Sequence, residues 1–209
     1  MEPLTKIFGS SRRVKVMRLF LFNEETPFDI DDLAERTRSK KTEVRKEVTM
    51  LVRIGFLKKK TFTKSVPKKT RSKKITQAQF RKVKKHGWIL NETFELLRPL
   101  KSLLLESELV DEQQVKQRVK KLGSVKLLIL SGVFVGDDNR FVDVLVVGNK
   151  LNPSSLNREI SIIESEVGRE LAYAFFDQKE FEYRMGMYDK LVRDVLENDH
   201  RKLINTILS

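Results

Sequence analysis

Between Glu47 and Glu92 the chain has no acidic residue, and this feature limits its folding more than any other. Arg53, Lys58, Lys59, Lys60, Lys64, Lys68, Lys69, Arg71, Lys73, Lys74, Arg81, Lys82, Lys84 and Lys85 all fall in that window. These fourteen cations exceed the formal net charge of +13 of the whole chain, so the positive field belongs to one segment. Its centre, "TKSVPKKTRSKK", holds Pro and Ser and little that could pack, which predicts a loop between two strands. Clustered basic charge attracts a polyanion, most often a phosphate backbone, and releases its counterions. The plainer alternative is a solvated loop that only keeps the protein soluble.

A chain of 209 residues is long enough for two small domains, each with a modest core. The absence of Cys excludes disulfides and thiolate metal sites and suits a reducing cytoplasm. His86 and His200 stand alone, and neither a metal nor a cofactor is expected. No apolar run approaches the roughly 20 residues of a membrane span, and the amino terminus lacks a secretory apolar stretch, so a soluble, cytoplasmic protein is expected.

Val14, Met17, Phe20 and Leu21 recur at helical spacing and predict a first helix over 11–23, capped by Ser10 or Ser11. Asp29 precedes a short second helix over 30–36. Ser39 is the expected cap of a third over 40–54, with Val44, Val48, Leu51 and Val52 inward. Thr42, Lys46, Thr49 and Arg53 then lie outward, flanked by Lys41 and Arg45. A helix presenting Arg, Lys and Thr near its amino end suits a major groove, where Arg or Lys reads guanine acceptors and a Thr methyl meets thymine. Gly55 ends the helix. Strands are expected over 56–62 and 84–90, with Trp88 a core residue at the base, and Asn91 should cap a helix carrying Phe94, Leu97, Leu100, Leu103 and Leu104, interrupted by Pro99.

Three helices followed by a strand read as a winged helix-turn-helix. The stretch "KIFGSSRRVKVMRLFLFNEETPFDIDDLAERTRSKKTEVRKEVTMLVRIGFLKK" resembles the opening of bacterial and archaeal winged-helix regulators, with their F-G-S-x-x-R-V-K element and closing V-x-x-L-V-x-x-G-F-L pattern. That resemblance implies a DNA-binding domain over 1–106 with a long basic wing over 58–85. Many winged helices bind protein instead.

A connecting helix is expected over 107–123, through Val115 and Val119 to Gly123. Beyond it, "SVKLLILSGVFV" and "FVDVLVVGN" read as buried strands separated by the turn "GDDNR". A helix opened by Pro153 and ended by Gly168, a strand over 170–176, and a last helical region complete the domain. Asp177 and Glu180 start that region, with Phe181, Met185, Tyr188, Leu191, Val192 and Leu196 inward. The whole reads as α+β, a winged helix-turn-helix followed by a small α/β domain over 124–209.

The strand-turn-strand element resembles the minimal nucleotidyltransferase domain, in which a glycine-serine pair grips phosphates and an Asp-x-Asp on the next strand holds magnesium. Ser131 and Gly132 stand where the first element is expected, with Val133 in place of its Ser. Asp143 matches the second Asp, and Phe141 occupies the position of the first. A single Asp beside a Phe cannot clamp a metal against phosphates, so the resemblance implies a degenerate domain that senses a ligand or builds a dimer. The tail "FEYRMGMYDKLVRDVLENDH" is similar to the usual ending of regulators that join these two domains.

The expectation is a sequence-specific regulator binding double-stranded DNA, without enzymatic activity and with a homodimer as one form it could take. Lys40, Lys41, Thr42, Arg45, Lys46 and Thr49 would contact the groove and nearby phosphates. Lys58, Lys59, Lys60, Lys68, Lys69, Arg71, Lys73 and Lys74 would hold the backbone. The alternatives are a magnesium-dependent nucleotidyltransferase acting on protein or RNA, and an RNA-binding factor.

Overall fold

A computed structural model describes residues 3–67, 80–106 and 109–208. The chain is mixed α+β with two small sheets and divides into two compact units, one of Pro3–Lys101 and one that begins at Ser102.

In the first unit, helices α1 (Pro3–Phe8), α2 (Ser11–Phe22), α3 (Ile30–Arg36) and α4 (Lys41–Arg53) precede strands β1 (Leu57–Pro67) and β2 (Phe80–Leu90). Ser10 caps α2 by accepting from the Arg13 amide at 3.2 Å. Asp29 caps α3 in a reciprocal box with Asp32. Val14, Met17, Phe20, Leu33, Val44, Val48 and Leu51 meet in the core. Phe28 packs edge-on against Phe20 with ring centroids 5.4 Å apart.

Two expected caps are absent. Lys40, not Ser39, occupies the cap position of α4 and makes no side-chain capping bond, while the Ser39 hydroxyl donates to the Thr37 carbonyl at 3.1 Å. Ser39 lies one residue too early to reach the free amides. Asn91 begins no helix; its Nδ2 donates to the Gly55 carbonyl at 2.8 Å, tying the end of β2 to the end of α4. Helix α5 (Leu97–Leu105) starts later, and Pro99 sits in its first turn, where an amide has no helical partner to lose.

The β1–β2 hairpin is longer than the sequence suggests, pairing continuously from Leu57↔Leu90 to Pro67↔Phe80. Phe28 adds a bridge on the far edge of β2, where its amide donates to the Trp88 carbonyl and the Trp88 amide donates back, both at 2.9 Å. A Cβ at Gly87 would stand 2.2 Å from the Phe28 carbonyl oxygen, so this close approach requires glycine.

The second unit holds α6 (Glu112–Lys120), β3 (Ser124–Leu130), β4 (Val144–Asn149), α7 (Pro153–Val167), β5 (Tyr173–Phe176), α8 (Gln178–Gly186), α9 (Lys190–Glu197) and β6 (Arg201–Asn205). Its sheet runs β5-β4-β3-β6, antiparallel except for β4 and β5, which α7 joins as a crossover. Leu127, Ile129, Leu145, Val147 and Phe176 pack under Phe181, Val192 and Val195 from α8 and α9. Leu128, Leu130, Val144 and Val146 alternate with them and are also buried, so both faces of the sheet are covered.

Four expectations change here. "GVFV" is a 3-10 turn over Gly132–Val135 rather than strand, and β4 begins only at Val144. The strand expected over 170–176 shortens to β5, because Ala172 is already engaged with Asp143. The last helical region breaks at Gly186, and Asp189 caps a new helix through the Leu191 and Val192 amides. That break turns Met185 and Tyr188 to solvent, at 42% and 75% exposure, instead of inward. Strand β6 has no counterpart in the sequence reading. Among the described residues no helix is long and apolar enough to cross a membrane.

Candidate functional site

The chemistry of the first unit concentrates on α4 and the hairpin. The two acids of α4 turn toward α2: Glu47 is buried, accepting from the Ser10 hydroxyl at 2.7 Å and from Arg13 Nε at 2.9 Å, and Glu43 pairs with Arg12 at 3.0 Å. What remains outward is cationic. Lys40, Lys41, Thr42, Arg45, Lys46 and Thr49 are all exposed, and the last of these donates its hydroxyl back to the Arg45 carbonyl at 2.8 Å. Thr49 thereby has its polar atom occupied by its own helix and keeps its methyl for an outside contact. Lys41 differs from the rest, because its ammonium pairs with Asp31 at 2.6 Å.

The pleat of the hairpin sorts its cations into two sets. Phe62, Lys64 and Val66 of β1 and Val83, Lys85, Gly87 and Ile89 of β2 are the more buried alternating positions. On that inner face Lys64 pairs with Asp32 and lies 3.5 Å from Asp29 Oδ2, while Lys85 lies 3.4 Å from the same oxygen and 3.5 Å from Asp31. Asp29 Oδ1 accepts the Asp31 and Asp32 amides at 2.8 and 2.9 Å. Burial pushes the Asp29 carboxyl up, but the Asp32 amide and the two ammonium charges outweigh it and hold the group below the usual carboxylate value. Burial lowers Lys64, and its bond to Asp32 with the charges of Asp32 and Asp29 more than reverses that. Lys85 is raised by its bond to Asp29. Asp29, Asp31 and Asp32 thus hold α3, α4 and the hairpin to one another.

Lys58, Lys59 and Lys60 are exposed. Lys68, Lys69, Arg71, Lys73 and Lys74 lie outside the described residues. The sequence reading missed the Asp29, Asp31 and Asp32 cluster and the inward role of Glu47. The signal available was the contrast between the acid-dense "DIDD" and the acid-free window, since unlike charges this concentrated pair when the fold brings them together. Trp88, expected in the core, is half-buried and lines an open cleft of about 430 Å³ with Lys59, Lys60, Thr61, His86 and Gly87.

In the second unit Ser131, Gly132 and Asp143 come together, as hydrogen-bonded scaffold. Asp143 is buried, and its Oδ1 accepts the Val133 amide while its Oδ2 accepts the Ala172 amide, both at 2.9 Å. The Ser131 hydroxyl donates to the Val142 carbonyl at 2.7 Å. Gly132 has φ +56, and a Cβ there would stand 2.2 Å from Asp143 Oδ1. Phe141, in the place of a partner carboxylate, is 61% exposed. Asp137 is lowered by the Asn139 amide and by Arg140, and Arg140 also reaches Asp194 at 3.1 Å. Asp138 pairs with Arg169 at 2.5 Å. Among the described residues no group of three or more His, Asp or Glu converges as a metal site would require.

No family model, curated protein or solved structure matches the chain.

Proposed function

We propose that this protein is a sequence-specific regulator that binds double-stranded DNA through a winged helix-turn-helix, with α3 and α4 as the helix pair, α4 in the major groove and the β1–β2 hairpin as the wing. The observation that carries the reading is the outward face of α4. Its acids are turned inward onto Arg12 and Arg13, and Lys40, Thr42, Arg45, Lys46 and Thr49 stand exposed around its first turns. Groove entry needs donors on one side of a helix with no carboxylate among them to repel phosphate. The exposed lysines of the hairpin add contacts to the backbone, which strengthen binding on any sequence.

The second unit is, in this reading, a nucleotidyltransferase-like domain that has kept a strand-turn-strand scaffold and lost its chemistry. Both oxygens of Asp143 already accept backbone amides inside the fold, and Phe141 offers no carboxylate to share a metal. A sensing or dimerising role remains for it, in the cytoplasm.

Selection of bound fragments from sheared genomic duplex at near-physiological salt, with excess RNA as competitor, tests the reading. A recurring motif that survives competition supports it, and a palindromic motif makes the bound form a two-fold dimer. Arg45→Ala should then weaken the selected site by roughly 1–3 kcal/mol while leaving unrelated duplex nearly unchanged. Equal loss on every sequence removes α4 from the groove.

A further inference from the structure

We infer that the outer face of the β1–β2 hairpin carries a nucleotide-binding cleft, separate from the exposed face of α4, in which Trp88 stacks on a base and Lys59 holds its phosphate. Directly opposed residues of an antiparallel pair share a face. Lys59 opposes Trp88 and Thr61 opposes His86, so these four side chains rise from one side of the hairpin. Between the two pairs lies Lys60↔Gly87, whose pleat points the other way. Its backbone forms a floor, with Lys59 and Trp88 as one wall and Thr61 and His86 as the other. The resulting cleft of about 430 Å³ lies within the range of small-molecule sites.

The chemistry of these walls selects the ligand. Trp88 is half-buried, so its ring is held by the fold yet still faces the opening. An indole face of this kind stacks on a planar ring, and every nucleobase has one. Neither strand carries an acid, and Lys59 is exposed and pairs with no carboxylate among the described residues, so its ammonium is left for an anion. The His86 Nδ1 faces the Thr61 hydroxyl at 3.1 Å, which fixes the imidazole and leaves Nε2 for a ligand. An aromatic platform, a free ammonium and an oriented imidazole within one cleft match a base joined to a phosphate. Either a free nucleoside monophosphate or one nucleotide of a single strand has that chemistry. The cleft makes no use of α4 and stands whether or not α4 reads duplex DNA.

Trp88 is the sole tryptophan, so its fluorescence reports the cleft directly in the full chain. The titrants are adenosine monophosphate, adenosine, inorganic phosphate, a short single-stranded oligoadenylate, and an abasic oligonucleotide of the same charge. Saturable quenching by adenosine monophosphate, with adenosine and phosphate each binding about tenfold more weakly or worse, is the expected result for a free ligand. Saturation by the oligoadenylate and not by the monophosphate assigns the site to a single strand. In either case the abasic strand fails to quench, and Lys59→Gln weakens binding about fivefold with an unchanged circular dichroism spectrum. Absence of saturable quenching by both adenosine monophosphate and the oligoadenylate overturns the inference. So does equal binding of the abasic strand, which would reduce the hairpin to a charge-only surface.

Discussion

If Asp143 is scaffold, replacing it should cost stability rather than activity, and its hydrogen bonds set the size of the loss. Asp143→Ala strips the acceptors from two amides, those of Val133 and Ala172, at a side chain that is 5% exposed. A buried donor left without a partner costs about 1–3 kcal/mol, so two should cost roughly 2–5 kcal/mol, with some relief if water enters the gap. Asp143→Asn keeps one carbonyl acceptor but turns an amide donor toward the other N–H, and should lose about half as much. The assay is urea denaturation of the full chain followed by two probes. Trp88 fluorescence reports the Pro3–Lys101 unit, and far-ultraviolet circular dichroism reports both units. The expected result is an earlier transition in the dichroism with the fluorescence midpoint unmoved. Asp143→Ala within about 0.5 kcal/mol of the parent would refute the scaffold assignment, because a buried carboxylate not needed by those amides is better removed. Equal damage from Asn and Ala would also count against it, since the graded loss follows from the number of acceptors retained.

Acid should destabilise the first unit through Asp29. Its carboxyl is held below its ordinary value of 3.8 in the folded chain, so its contribution is complete above about pH 4 and is lost as pH falls through the lowered value. Asp29→Asn should flatten that acid limb in urea midpoints followed by Trp88 fluorescence, and an unaltered limb would locate the acid sensitivity elsewhere. The hairpin cations should separate by face. Lys64→Gln and Lys85→Gln lower stability and leave the salt slope of duplex binding nearly unchanged. Lys59→Gln and Lys84→Gln, on the outer face, leave stability unchanged and reduce that slope by about one for each phosphate no longer neutralised. A salt titration of all four variants checks this, and equal slope changes across them would undo the division.

Much of the first unit was legible because local rules and packing agree there. The stripe of Val44, Val48 and Leu51 and the glycine stop at Gly55 fixed α4 to within a residue or two, and the capping chemistry of Asp29 marked the start of α3. Caps were misread where a side chain found a nearer partner: Ser39 bonds its own turn and Asn91 bonds Gly55. In the second unit the apolar runs located β3 and β4. Their ends escaped prediction because Val142 and Asp143 are buried without being strand. The helical stripe through Met185 and Tyr188 continues in sequence across the Gly186 break, so periodicity alone could not see that the chain turns there. The Asp29, Asp31 and Asp32 cluster was invisible for a different reason. Its partners Lys64 and Lys85 lie far along the chain, and only the register of a long hairpin brings both ammonium groups to one carboxylate.

That register also changes what the basic window means. As a linear count its fourteen cations form one uniform field, but a hairpin divides successive side chains between two faces, and the two faces meet different environments. The inner face meets three aspartates at the start of α3, and there Lys64 and Lys85 are drawn into pairs that fasten the hairpin to the helices. The outer face meets no acid from its own strands, so Lys59 and Lys84 keep their charge for solvent or a ligand. Surface pairs contribute little by themselves, but Asp29 is buried, and an unpaired carboxylate there would be costly. The inner lysines are therefore needed to neutralise the acid that caps α3, and the same arrangement orients the hairpin beside α4. A rigid base is what allows the outer face to present Trp88 and Lys59 at a fixed separation. The two sets of lysines are alike in sequence and differ in task because the pleat assigns them to opposite sides.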